Sequence, residues 1–176
     1  MLIFCGGMLA GQICFCEETS PTTERQVKAL CLLNFAKYVE WPEQVFADAS
    51  SPIVIGIVGE NKFQDDLKDV MADKRVGGRK IVVKAVASDN DYRKCQILFI
   101  GAADTRQEAD ILKGLKSLPM LTVGETEQFV EDGGMINFTT KEGKVRFDVD
   151  LNAAHSVGLG ISSKLLSLAE TVKGKP

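Results

Sequence analysis

A hydrolase needs a nucleophile, a general base and an acid that orients the base, and this chain offers one imidazole for that work, His155. No G-x-S-x-G turn surrounds any serine, and Gly160-Ile161-Ser162-Ser163-Lys164 lacks the spacing of the Ser/Lys hydrolases. His155 is therefore expected to be a surface or half-buried side chain. Gly56 to Asn61 (GIVGEN) follows an apolar run, as a phosphate loop would, but has neither the G-x-x-x-x-G-K-[ST] pattern nor the third glycine of a dinucleotide turn. Asp65, Asp66 and Asp69 are spaced as the solvated face of a helix and lack the tight alternation that calcium requires. Arg75-Val-Gly-Gly-Arg79 is a basic turn whose glycines can take positive φ. One histidine and five scattered cysteines fall short of a four-ligand zinc site. The residues thus give no support to an enzyme, a metal or a cofactor.

Charge removes another class. The chain carries 21 Lys and Arg against 24 Asp and Glu, a formal charge of -3, whereas a nucleic-acid binder needs a basic excess. Every charge follows Cys16, so Met1 to Cys16 (MLIFCGGMLAGQICFC) is an uncharged apolar run. As a helix it would span about 24 Å, short of the roughly 30 Å hydrocarbon core. It fits a secretory signal peptide whose removal leaves Glu17 first, although no Lys or Arg precedes Arg25. A buried N-terminal strand is the alternative. Export would place residues 17–176 in the periplasm as one domain with no membrane insertion, leaving Cys31 and Cys95 as free, buried thiols or as a pair.

The elements that must position any site can be read from periodicity. Thr23 to Gln26 has capping-box spacing, so a helix is expected to start there and to end at Trp41-Pro42. Val27, Leu30, Cys31, Asn34 and Tyr38 recur at helical spacing, which marks them as its inward stripe. Asn34 interrupts that stripe, so it either bonds a neighbouring element or faces a site; Trp41 is expected to lie over the core. Strands are expected at Ile53 to Val58, Ile81 to Ala87, Ile97 to Ile100 and Met120 to Val123. Helices are expected at Asn61 to Ala72, Arg106 to Leu115 and Glu125 to Glu131. Continuous apolar strands that alternate with helices predict an α/β fold, a mainly parallel sheet flanked by helices on both faces. Loops after Val58, Ile100 and Val123 should then meet at the carboxyl edge.

After Gly133-Gly134 the period becomes two. Ile136 and Phe138, then Val145, Phe147 and Val149, flank Glu142-Gly143, which predicts an antiparallel C-terminal hairpin with Phe138 opposite Phe147 and Ile136 opposite Val149. On its polar face Asn137 opposes Asp148 and Thr139 opposes Arg146; Arg146 is expected to pair with Asp148 or Asp150 or to reach a partner. Ile161, Leu165, Leu168, Ala169 and Val172 predict a closing helix ended by Gly174.

Two stretches resemble a known family. Val27 to Pro42 (VKALCLLNFAKYVEWP) is similar to the opening helix of the YfiR-like bacterial periplasmic proteins, with their N-F-x-K-[YF]-x-x-W-P signature. GGMINF, VRFDVDLNAA and GLGISSKLLSLA, within Gly133 to Ala169, resemble the closing hairpin and helix, and Cys95 to Ile100 and Leu121 to Val123 the middle strands. The resemblance implies a homodimeric regulator that binds the periplasmic sensory region of an inner-membrane diguanylate cyclase and represses it, lowering cyclic di-GMP and biofilm formation, without catalysis or cofactor. It marks Asn34, Phe35, Tyr38, Trp41 and Arg146 as structural or partner-contact positions and Cys31 and Cys95 as possible redox cysteines. The cysteine pattern departs from that of relatives: Gly56 stands where they often carry a cysteine facing Cys95, and Phe138 and Val145 occupy the hairpin cysteine region. A periplasmic small-molecule-binding accessory protein of a sensor kinase or transporter is the competing expectation.

Overall fold

The computed structural model describes residues 21–59, 61–101 and 105–174; the expected signal peptide, with Cys5, Cys14 and Cys16, lies outside them. The first helix, α1 (Pro21–Tyr38), starts ahead of the expected cap at Thr23. A proline in the first turn sacrifices no hydrogen bond there. After a short strand, β1 (Val39–Glu40), the chain enters β2 (Ile53–Val58), α2 (Asn61–Met71), β3 (Arg75–Val76) and β4 (Arg79–Ala85). Next come α3 (Asp89–Tyr92), β5 (Ile97–Ile100), α4 (Thr105–Leu115) and β6 (Leu121–Gly124). The hairpin of β7 (Ile136–Lys141) and β8 (Lys144–Asp150) leads through α5 (Leu151–Ser156), β9 (Gly160–Ile161) and α6 (Ser163–Leu166) to β10 (Thr171–Lys173).

The main sheet is ordered β10-β8-β7-β6-β5-β2-β4-β3. Strands β4, β2, β5, β6 and β7 run parallel, while β8 pairs antiparallel with β7 and parallel with β10, and β3 pairs antiparallel with β4. The fold is α/β as expected. Side chains alternate between two cores because successive residues of a strand point to opposite faces. Ile55, Ile57, Ile97, Phe99, Leu121 and Val123 face one core with Phe35 of α1 and Phe63 and Leu67 of α2. Val58, Leu98 and Ile100 face the other with Ile111, Leu112 and Leu115 of α4.

The hairpin has the expected register, Ile136 opposite Val149 and Phe138 opposite Phe147. Its two-residue turn holds Glu142 at φ 52° and Gly143 at φ 70°, the paired positive values that match the twist of the flanking strands.

Several elements differ from expectation. The closing helix is only α6, whose Ser162 cap accepts from Leu165 N; the chain then extends into β10, parallel to β8. The open edge of β8 and the β-branched pair Thr171 and Val172 favour a strand over continued helix. Glu125 to Glu131 is a run of turns, with Phe129 wholly buried and its carbonyl accepting from Gly134 N at 2.8 Å. The strand expected at Ile81 to Ala87 is β4, displaced toward the Gly77-Gly78 turn that joins it to β3. The short helices α3 and α5 were not apparent from periodicity, being too brief to display it.

Candidate partner-binding surface

Helix α1 is apolar on more than one side, and this decides which residues are available. Ala29, Leu32, Leu33, Phe35 and Ala36 are buried against the sheet and α2, and Arg25 Nε joins Asp66 Oδ2 of α2 at 2.5 Å. The stripe expected to point inward lies at the margin of that buried face, with Cys31 and Tyr38 packed against the edge of the core. Leu30 is 52% exposed, and Val27, Cys31, Asn34 and Tyr38 are only half-buried. The stripe one residue along is the one that inserts, since it carries Phe35 into the aromatic cluster, 5.7 Å from Phe138 and 5.1 Å from Phe147 between centroids. Phe35 is thus a core residue, whereas the Asn34 side chain at that margin makes no hydrogen bond among the described residues.

At the end of α1, Lys164 Nζ stands 5.0 Å from the centroid of Tyr38, a cation–π contact that ties α6 to the helix. Trp41 is half-buried and its Nε1 donates to the Gln96 carbonyl at 3.3 Å, so the ring lies over the core rim as expected. Gln96 also accepts from Val54 N at 2.8 Å through Oε1, making it a joint between β2, β5 and Trp41. Arg146 pairs with neither Asp148 nor Asp150. Its Nε lies 3.7 Å from Glu170, which also accepts from Lys141 Nζ at 2.6 Å, because the unforeseen return of the chain toward β10 brings Glu170 beside the hairpin. His155 is exposed on α5 and lines a groove with Trp41 and Pro42. No hydrogen bond joins the His155 side chain to a serine or carboxylate among the described residues.

A family model described as YfiR/HmsC-like matches residues 25–170. The chain belongs to that family. Among solved structures it is similar to a conserved domain protein from Vibrio cholerae O1 biovar eltor, with TM-score 0.51 and 14% identity over 68% of this chain and 54% of that one. It is also similar to an ABC domain in complex with L-Trp from Streptococcus pneumonia, with TM-score 0.49 and 12% identity over 68% and 55%. The chain therefore spans about half the length of each of these two structures.

In this YfiR/HmsC-like protein Cys31 and Cys95 are free. Cys31 packs on the core beneath α1 and Cys95 belongs to the core on the other side, so the sheet separates them and they cannot pair within one chain. Burial pushes both thiols up to about 11, which leaves little thiolate at neutral pH. Gly56 does face Cys95: a Cβ on it would stand 2.6 Å from Cys95 Sγ.

Two buried polar features were not anticipated. Glu108 on α4 is fully buried; Thr126 Oγ1 donates to its Oε1 at 2.5 Å and its Oε2 has no partner. Burial holds its pKa above the usual carboxylate range against the opposing Thr126 bond, and Asp132 and Glu125 push the same way as burial. Glu108 shares the i, i+3, i+4, i+7 face of Ile111, Leu112 and Leu115, a signal present in the sequence. Lys28 lies between Glu24 at 2.8 Å and Glu125 at 2.7 Å, clasping α1 to the loop after β6. Burial alone would lower its pKa, but the bonds to Glu125 and Glu24 prevail and raise it.

Proposed function

We propose that this chain is a periplasmic regulator that binds the sensory region of an inner-membrane diguanylate cyclase and holds the enzyme inactive. In this reading Met1 to Cys16 directs export, residues 17–176 fold as one domain that works as a homodimer, and the protein makes or breaks no covalent bond. The observation that carries the reading is the YfiR/HmsC-like match across residues 25–170. Leu30 of α1 exposes an apolar side chain, and this reading assigns it to the partner contact. Among the described residues, no helix is long and apolar enough to cross a membrane and no acidic, His or Cys cluster could hold a metal.

Such a protein acts by differential affinity. To carry a cyclase population from 99:1 active to 99:1 inactive it must bind the inactive form tighter by about 5.5 kcal/mol. Deleting the gene and measuring cyclic di-GMP tests the reading, with fractionation of the parent strain to locate the protein. A rise that the intact gene reverses and Leu30→Asp does not is expected. An unchanged level, with the protein found in the periplasm of the parent, refutes it.

A further inference from the structure

A cavity of about 220 Å³ opens between α4 and α5, walled by Leu112 and Leu115 of α4, Met135 just ahead of β7, and Ala153 and Val157 of α5. Leu112, Leu115 and Met135 are buried, so the opening leads into the apolar interior. The space exists because two of its wall positions, Gly133 and Ala153, carry little or no side chain. It exceeds the roughly 150 Å³ of a cavity that binds benzene. Native interiors hold few voids larger than a water molecule, because the atoms lining a void lose dispersion contacts. The wall offers water few partners in return: Thr122 Oγ1 already accepts from Met135 N at 3.1 Å, and Ser156 Oγ donates to the Ala153 carbonyl at 2.7 Å. An apolar group is what this space fits.

Charge selects the other end of the ligand. Among the described residues no Asp or Glu lines the cavity, and its one ionised group is Lys116, just past the end of α4. The Lys116 stem lies over Gly133, with Cε 4.0 Å from where a Cβ on that glycine would stand. Its ammonium joins no carboxylate among the described residues, whereas Lys113, three residues earlier, pairs with Asp110 at 3.4 Å. A lysine so placed keeps its stem on the apolar wall and its head in water, which sets an unanswered positive charge at the mouth. A cationic or neutral apolar compound would leave that charge unanswered. We propose that this cavity binds a small carboxylic acid with an apolar body, the body lodged between α4 and α5 and the carboxylate held by Lys116. The proposal stands independently of cyclase repression, since one is measured on the purified chain and the other in cells.

Calorimetric titration of the purified protein with hexanoate, heptanoate and octanoate, beside octylammonium and 1-octanol, tests it. Saturable binding is expected to tighten about fourfold with each added methylene, the worth of one buried CH₂. Octylammonium and 1-octanol should bind at least fivefold more weakly than octanoate. Lys116→Gln should weaken octanoate at least fivefold and leave 1-octanol unchanged, and Ala153→Leu, which fills the cavity, should abolish binding of both. Lys116 is exposed, so its variant keeps the test decisive if Ala153→Leu fails to fold. Absence of saturable binding at millimolar octanoate, an affinity independent of chain length, octylammonium binding as tightly as octanoate, or unchanged octanoate affinity in Lys116→Gln overturns the proposal.

Discussion

Replacing Gly56 with alanine tests the packing between β2 and the start of β5. The new Cβ would lie 2.6 Å from Cys95 Sγ and 3.0 Å from both Leu98 Cδ1 and Val86 Cγ2, against an optimum near 3.5–4.0 Å for carbon pairs. Cys95 is 5% exposed and its Sγ lies 3.4 Å from the Asp91 carbonyl, so the sulfur has little room to retreat. Overpacking of this kind costs about 1–3 kcal/mol, while removing a glycine returns about 0.4–1 kcal/mol through the unfolded chain. The net loss is about 1–2 kcal/mol. For a chain of 176 residues this lowers Tm by about 2–8 °C. Cys95→Ala removes the sulfur but leaves the 3.0 Å approaches to Leu98 and Val86, so Gly56→Ala made in that background should cost less by about 1 kcal/mol, the coupling between the two sites. Thermal and urea melts of the four proteins complete the cycle. Equal losses in both backgrounds, or a Gly56→Ala protein that melts at or above the wild-type temperature, would refute the assignment of Cys95 as the obstructing group.

Phe35→Ala should lose about 3–5 kcal/mol by emptying the aromatic cluster, whereas Leu30→Ala on the same helix should stay within about 0.5 kcal/mol of wild type; urea midpoints separate the two. Glu108 holds its proton more tightly folded than unfolded, so its contribution favours the native state below its ordinary pKa near 4.5 and is lost as pH rises through the raised folded value. Glu108→Gln should therefore flatten the fall in stability across that range, and parallel pH series of urea melts would show whether it does. Iodoacetamide should modify Cys31 and Cys95 slowly in the native protein and rapidly in urea, followed by mass spectrometry; rapid native labelling at neutral pH would contradict their raised thiol values near 11.

The hairpin was legible because a one-residue slip would move Phe138 and Phe147 off their shared face, and only a turn at Glu142-Gly143 satisfies both strands. The parallel strands were legible from uninterrupted runs such as IVIGIV and ILFI, which are buried on both sides. The inward face of helix α1 was not legible in its residues, for a physical reason. Its apolar residues form two neighbouring stripes, and periodicity does not say which of them meets the sheet. Trp41 over the core rim could be anticipated from its place just past the helix; its hydrogen bond to Gln96 could not, since the two lie far apart in the chain.

Sequence by itself determined the fold class, the hairpin register and the family, because these depend on local periods and on ordered motifs that survive without knowledge of contacts. Tertiary structure alone decided that Leu30 faces outward, that Arg146 meets Glu170, that Thr171 to Lys173 form a strand, and that a cavity opens between α4 and α5. Each of these depends on which edge or face is left vacant once the other elements have packed, and that vacancy is a property of the assembled layers.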